Sequence, residues 1–194
     1  MEFQNYQKYR WFFTSSNTLV LGGKSALQND ELMIKLKDLP QEFVIMHTSE
    51  PGSPFCILFK EKSKVTDTDI EECAVFTGCF SRAWRAGKNT AKVDIFSSSQ
   101  IHKNPEMKSG TWGVYGKVET MSVSLELAIT KQKEVLRAVP ISTLKKKDEI
   151  IKITPGNIDK NDMFAKLEIE LNEPLSKEEV LSALPTGKFK VSRS

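Results

Sequence analysis

Histidine and cysteine are scarce in this chain: His47 and His102 on one hand, Cys56, Cys73 and Cys79 on the other, with no Cys-x-x-Cys pair among them. An odd set of thiols without paired spacing argues against a disulfide framework and a zinc knuckle, and the three read as buried thiols. The two histidines are far apart and have no Cys or carboxylate at metal-ligand spacing, so no metal is expected. Long apolar runs are missing as well; nothing approaches the ~18 residues of a membrane span. The opening residues, "MEFQNYQKYRW", are polar with an early Glu2, unlike the apolar core of a secretory signal, and we expect a cytoplasmic protein without membrane contact.

Catalytic signatures are lacking too. Gly22-Gly23-Lys24-Ser25 ends in the letters of a phosphate loop but has neither the upstream glycine nor the four-residue interval, so it reads as a strand-to-helix turn. A helix N-terminus there can still receive one anion. No serine or cysteine sits in a nucleophile elbow or beside a paired histidine. We expect no catalytic residue and no cofactor. A strong cationic excess is also missing: net charge of +3 and a pI near 8.6 are mild against the polybasic composition of a protein that coats nucleic acid.

What is present is a globular composition, 39% hydrophobic with negative mean hydropathy, on a chain of 194 residues. That length fits one domain with an appendage or two small ones, since domains usually run to about 100–150 residues. "KYRWFFTS" and "NTLVLGG" meet at Ser15, Ser16 and Asn17 and predict a hairpin; "EFVIMH" and "PFCILF" predict a second. Between them Ser25 can cap a helix, with Gln28 completing a capping box and Leu27, Leu32, Ile34 and Leu36 supplying apolar positions up to Pro40. The longest helix signal runs from Thr66 to about Ala86. Its apolar arc contains Ile70, Cys73, Phe76, Cys79 and Trp84, while Glu71, Gly78, Arg82 and Arg85 share the opposite side. Arg82 and Arg85 are thus expected in solvent, where the plain reading is complementing the helix dipole, worth ~0.3–1 kcal/mol.

Charge is unevenly placed. From Arg82 to Lys117 seven Lys or Arg face two acids, whereas Asp67, Asp69, Glu71 and Glu72 come just before. Beyond Gly87, "TAKVDIF", "TWGVYGKV", "SVSLELAI" and "EVLRAVPI" read as strands, and the long loop "SSSQIHKNPEMKSG" around His102 has the length of a functional or disordered connection. From Lys145, "KKKDE" reads as a charged linker. After it, "EIIKIT", "MFAKLEIEL", "SKEEVLSALP" and "KFKVS" read as strand, strand, helix and strand. The expected fold is α+β: residues 1–144 form a mixed, mostly antiparallel sheet with two helices, and residues 145–194 form a small strand-strand-helix-strand appendage.

In "MHTSEPGSPF" one of the two histidines ends an apolar run and is followed by a Pro-Gly-Ser-Pro turn. On residue chemistry alone His47 either presents a group to a ligand or merely ends its strand. "KYRWFFTSSNTLVLGGKSALQNDEL", "MHTSEPGSP", "FSRAWRAGKNTAKVDIF", "QIHK" and "GTWGVYGK" together resemble, in order and spacing, the NFACT-R domain. This is the RNA-binding module of the NFACT ribosome-associated quality control factors, and it also occurs as a standalone protein. The resemblance covers roughly Tyr9 to Val118. Its Gly-Lys/Arg turn and Gln-Asn helix are matched by Gly23, Lys24, Gln28 and Asn29, its strand-end histidine and turn by His47, Pro51, Gly52 and Ser53, and its basic loop by His102, Lys103 and Lys108. Pro54 stands where the family frequently carries another histidine, and the loop has fewer arginines.

The resemblance implies a noncatalytic RNA-binding module for tRNA or ribosomal RNA, in translation quality control or RNA modification. Lys24, His47 and the His102 loop would gather at one edge of the sheet, with Arg82 and Arg85 as further phosphate contacts. The tail-synthesising activity of the full-length factors is not expected to carry over. Two other readings stay open: an adaptor that docks a partner RNA-modifying enzyme through residues 145–194, and an enzyme using His47 as acid or base.

Overall fold

The computed structural model describes residues 3–144 and 150–193. The first hairpin forms as the sequence suggests: β1 (Arg10–Phe13) pairs antiparallel with β2 (Leu19–Gly22), Arg10 opposite Gly22, around a turn in which Asn17 takes a left-handed φ of 62°. α1 (Ala26–Lys37) begins where the Ser25 hydroxyl accepts from the Gln28 amide at 3.2 Å. The Gln28 carbonyl oxygen accepts from the Lys24 amide at 2.9 Å, so the reciprocal bond of the expected capping box lands one residue early. α1 also buries a narrower stripe than expected. Leu32, Met33 and Leu36 are buried, but Leu27 and Ile34 are 66% and 54% exposed.

The second hairpin, β3 (Val44–Thr48) with β4 (Cys56–Leu58), inserts beside the first to begin a six-stranded sheet. α2 (Asp67–Cys79) starts on a capping box between Thr66 and Asp69. The helix expected to continue to Ala86 stops at Phe80, and Ser81 starts a separate turn, α3 (Arg82–Arg85). The Ser81 hydroxyl explains the break: it donates back to the Gly78 carbonyl at 2.7 Å and accepts from the Ala83 amide at 3.1 Å, ending one helix while capping the next. Gly78, expected on the solvent side, is buried; a Cβ there would come within 2.8 Å of Val123 and 3.2 Å of Leu125, so these side chains pack where the glycine leaves room.

β5 (Thr90–Ser97) then pairs with β3, and the short β6 (Ile101–His102) and β7 (Gly113–Val114) close the base of the expected long loop. The predicted strand "SVSLELAI" is two strands. β8 (Glu119–Ser124) completes the sheet order β1-β2-β4-β3-β5-β8, and β9 (Leu127–Gln132) leaves for a second sheet with β10 (Val135–Val139). The large sheet is covered on both sides because side chains alternate along its strands. Phe12, Val20, Met46 and Cys56 face α2, while Trp11, Leu21, Ile45 and Ile57 face α1.

After β11 (Ile151–Ile158) the chain forms α4 (Lys160–Leu171), α5 (Lys177–Ala183) and β12 (Phe189–Arg193). The stretch "MFAKLEIEL", expected as a strand, lies in α4: Met163 and Leu167, four residues apart, are buried together, and Asn172 closes the helix with φ 50°. The order is therefore strand, helix, helix, strand within an α+β protein. The second sheet runs β10-β9-β11-β12, so residues 127–139 share it with residues 151–193. The linker reading of "KKKDE" at 145–149 lies outside the described residues. Among those described, no helix is long and apolar enough to cross a membrane.

Candidate nucleic-acid interface

A cleft of about 760 Å³ opens where the N-terminus of α1, the β3–β4 turn and α3 meet. Lys24, Asn29, His47, Gly52, Ser53, Arg82 and Arg85 all line it, joined by Arg10 from β1 and Thr186 from the chain's last loop. The turn between β3 and β4 is fixed from several directions. Gly52 has φ +114°, a conformation that suits glycine, and its carbonyl accepts from the Arg82 amide at 2.9 Å. The Arg82 side chain lies so close over it that any Cβ at position 52 would collide. The Ser53 hydroxyl accepts from the Thr48 amide at 2.9 Å and donates to the Pro54 carbonyl at 3.0 Å, so it closes the hairpin.

His47 both braces this turn and faces the cleft. Its Nδ1–H donates to the Thr48 carbonyl at 2.7 Å and its ring lies 4.6 Å from that of Phe55. Burial lowers its pKa against the opposing pull of the Thr48 carbonyl and of Asp94, its cross-strand neighbour on β5, so the imidazole is neutral at pH 7. Asn29 is held between Gly23, where a Cβ would collide with it, and the Phe55 amide, which donates to its Oδ1 at 3.4 Å.

The cations of the cleft are unbalanced. Among the described residues, Arg10, Lys24, Arg82 and Arg85 pair with no carboxylate, whereas neighbouring Lys88 is taken by Glu50 at 2.9 Å. Arg10 is partly buried with its guanidinium 5.0 Å from the Phe80 ring centre. Burial, followed by the field of Arg10 and Arg137, lowers the Lys24 pKa. Among the described residues of the lining the one acid, Asp94, accepts from the Ser49 hydroxyl at 2.6 Å and the Thr120 hydroxyl at 2.8 Å.

The family model of the NFACT protein RNA binding domain matches residues 8–116, which include this cleft apart from Thr186. The chain belongs to that family. Over 193 residues it is 25% identical to the archaeal Rqc2 homolog aRqcH of Methanocaldococcus jannaschii, a match that covers 94% of this chain and 28% of that protein. The ribosome quality control complex subunit NEMF of Mus musculus is 27% identical over 82 residues, 42% of this chain and 8% of its own length. The chain thus spans less than a third of the length of these relatives. Among solved structures, the C-terminal part of the fibronectin/fibrinogen-binding protein from Streptococcus suis superimposes with a TM-score of 0.52 at 26% identity, over 63% of this chain and 47% of that one.

Within this NFACT-R domain the other sequence-selected residues take different places. Gln28 is not among the residues that line the cleft, and its amide nitrogen donates to the Lys8 carbonyl at 3.4 Å. His102 stacks on Tyr115 at 3.8 Å and covers Gly113, and its buried Nδ1 has no hydrogen-bond partner among the described residues. Lys103 uses its ammonium on Asp30 at 3.1 Å and on the carbonyls of Lys108 and Thr111 at 2.8 and 2.9 Å. The Lys108 side chain is exposed beside Ser109, which lines the cleft. Asp30, unnoticed in the sequence, organises this loop. Besides Lys103 it accepts from the Ser109 hydroxyl, the Gly110 amide and the Trp112 indole at 2.8–2.9 Å. Burial would raise its pKa, but these donors, the Gly110 amide foremost, outweigh that and hold it at about 2. Arg10 was also missed, although its pairing with Gly22 places it beside the Gly23-Lys24 turn.

Proposed function

We propose that this chain is a noncatalytic RNA-binding module of translation quality control that takes tRNA or ribosomal RNA into the cleft. The observation that carries the reading is the group of four cations, Arg10, Lys24, Arg82 and Arg85, lining one concave surface with no carboxylate partners among the described residues. Unpaired cations in a cleft cost desolvation, and phosphate oxygens supply the missing charge and acceptors. Gly52 leaves room for the Arg82 side chain to lie across the turn, and neutral His47 offers a hydrogen bond rather than a charge. Trp112, 8% exposed, supports the loop that forms the far rim. Two features favour binding over chemistry. The His47 ring is engaged with the backbone, and burial pushes the Cys56 thiol up to about 12 with Cys73 and Cys79 also raised, which keeps all three thiols protonated.

Fluorescence titration of labelled tRNA at several salt concentrations tests this. Four phosphate contacts predict a log–log slope near −3, from roughly −0.7 to −0.9 per contact. Absence of binding even at low salt would defeat the RNA reading and promote the adaptor, with residues 145–194 as the docking unit.

A further inference from the structure

The four cations are not equivalent. Arg82 and Arg85 are exposed on α3 and Lys24 stands exposed before α1, all at the mouth of the cleft. Arg10 is set at its inner end, with the core residues Trp11, Phe76 and Ala183 behind it and Phe80 under its guanidinium. More positive charge stands nearby: Lys160, which donates to the Leu184 carbonyl at 3.1 Å, has its pKa lowered to about 8 by burial and then by Arg10. Arg137, 4.6 Å from the Trp11 ring centre, has Glu179 to offset it; among the described residues Arg10 has no such acid. An inner-end guanidinium with no hydrogen bond or ion pair among the described residues is matched by an anion that can reach inward.

Resting on the RNA reading of the cleft, we propose that its inner end is a receptor for a terminal phosphate, the phosphomonoester at an RNA end, with Arg10 as its recognition group and Lys24 beside it. An internal phosphodiester carries chain on both sides and is kept at the mouth, where Lys24, Arg82 and Arg85 meet it. A phosphomonoester has one ester bond, three free oxygens and a charge of about −1.5 to −2 at pH 7. It can enter end-on, and its oxygens match the forked donors of a guanidinium. Asp94, the one acid among the described residues of the lining, is engaged by Ser49 and Thr120 at the His47 side.

The test compares one short single-stranded RNA in three forms: 5′-phosphorylated, 3′-phosphorylated and without terminal phosphate. At least one phosphorylated form should bind tenfold or more tightly than the bare form, and Arg10→Met, which keeps an apolar stem over Phe80, should bring that ratio close to one. Lys24→Gln, a change at an exposed side chain, should reduce the ratio in part. Equal affinity of the wild type for all three forms would overturn the proposal while leaving the RNA reading intact. If no form binds at low salt, the RNA reading fails, and thermal melts with AMP and inorganic phosphate then judge the pocket. A rise in melting temperature that Arg10→Met abolishes retains it as a small-phosphate site; no rise removes it.

Discussion

Replacing Asp30 with asparagine should loosen the far rim of the cleft and destabilise the protein. The carboxylate accepts four hydrogen bonds, from Lys103, Trp112, Ser109 and the Gly110 amide. A carboxamide can keep the pair on one oxygen, but its NH₂ then faces the Gly110 N–H, leaving that donor unsatisfied, and the attraction to Lys103 is lost. The shift of the Asp30 pKa from an ordinary 3.8 to about 2 corresponds to about 1–2 kcal/mol once solvent screening is allowed for. Adding the orphaned amide brings the expected cost to ~2–4 kcal/mol. For a chain of this size that lowers the melting temperature by on the order of 5–15 °C. The pH dependence has a definite sign. A carboxylate whose folded pKa is depressed stabilises the fold fully above 3.8 and loses that contribution as pH falls toward about 2. Melting curves of wild type and Asp30→Asn should therefore lie far apart at neutral pH and converge in acid below 3.8. Coincident curves at neutral pH would refute the reasoning, as would a gap that stays constant in acid.

Arg82→Ala and Arg85→Ala remove exposed side chains, so each should leave the melting temperature nearly unchanged while weakening tRNA binding and flattening its salt slope by roughly 0.7–0.9. Trp84→Ala, between them, empties a site that is 1% exposed, packs on Phe189 and donates to the Lys188 carbonyl, and should cost ~3–5 kcal/mol in chemical denaturation. Gly52→Ala combines a φ of +114° with a collision against Arg82, and loss of both stability and RNA affinity is expected, the strain alone being ~1–3 kcal/mol. His47→Ala should weaken tRNA retention modestly, by the ~0.5–1.5 kcal/mol of one hydrogen bond, and leave the nucleoside composition of incubated tRNA unchanged. Modification or cleavage that vanishes in this variant while retention stays intact would show instead that the protein is an enzyme.

Both hairpins were legible because apolar runs flank turn residues, and α2 because Thr66 and Asp69 give it a local start. Local signals also account for the misreadings. Ser81 can sit inside a helix or cap one, and its bond back to Gly78 decided for the cap. In "MFAKLEIEL" the apolar residues fit a strand by composition, but Met163 and Leu167 needed only their four-residue spacing to be read as one buried helix face. The engagement of Lys103 could not be read from the chain, because its partner Asp30 lies 73 residues earlier and meets it only after the loop folds back on α1. Arg10 was hidden differently: within "KYRWFF" it counted as one strand residue, and its place in the cleft depends on the register of β1 against β2. By contrast, the meeting of Lys24, His47 and Gly52 could be expected from the family pattern; in the sheet β4 lies between β2, which leads to Lys24, and β3, which bears His47, and Gly52 lies in the turn joining β3 to β4.

Whether RNA occupies this cleft is decided by ultraviolet crosslinking of bound tRNA followed by mass spectrometry of the crosslinked peptides. Adducts are expected on the segments bearing Arg10, Lys24, His47 to Ser53, and Arg82 to Arg85. Adducts confined to the aromatic hollow lined by Phe3, Tyr6, Phe13 and Phe59, with none in the cleft, would contradict that occupancy.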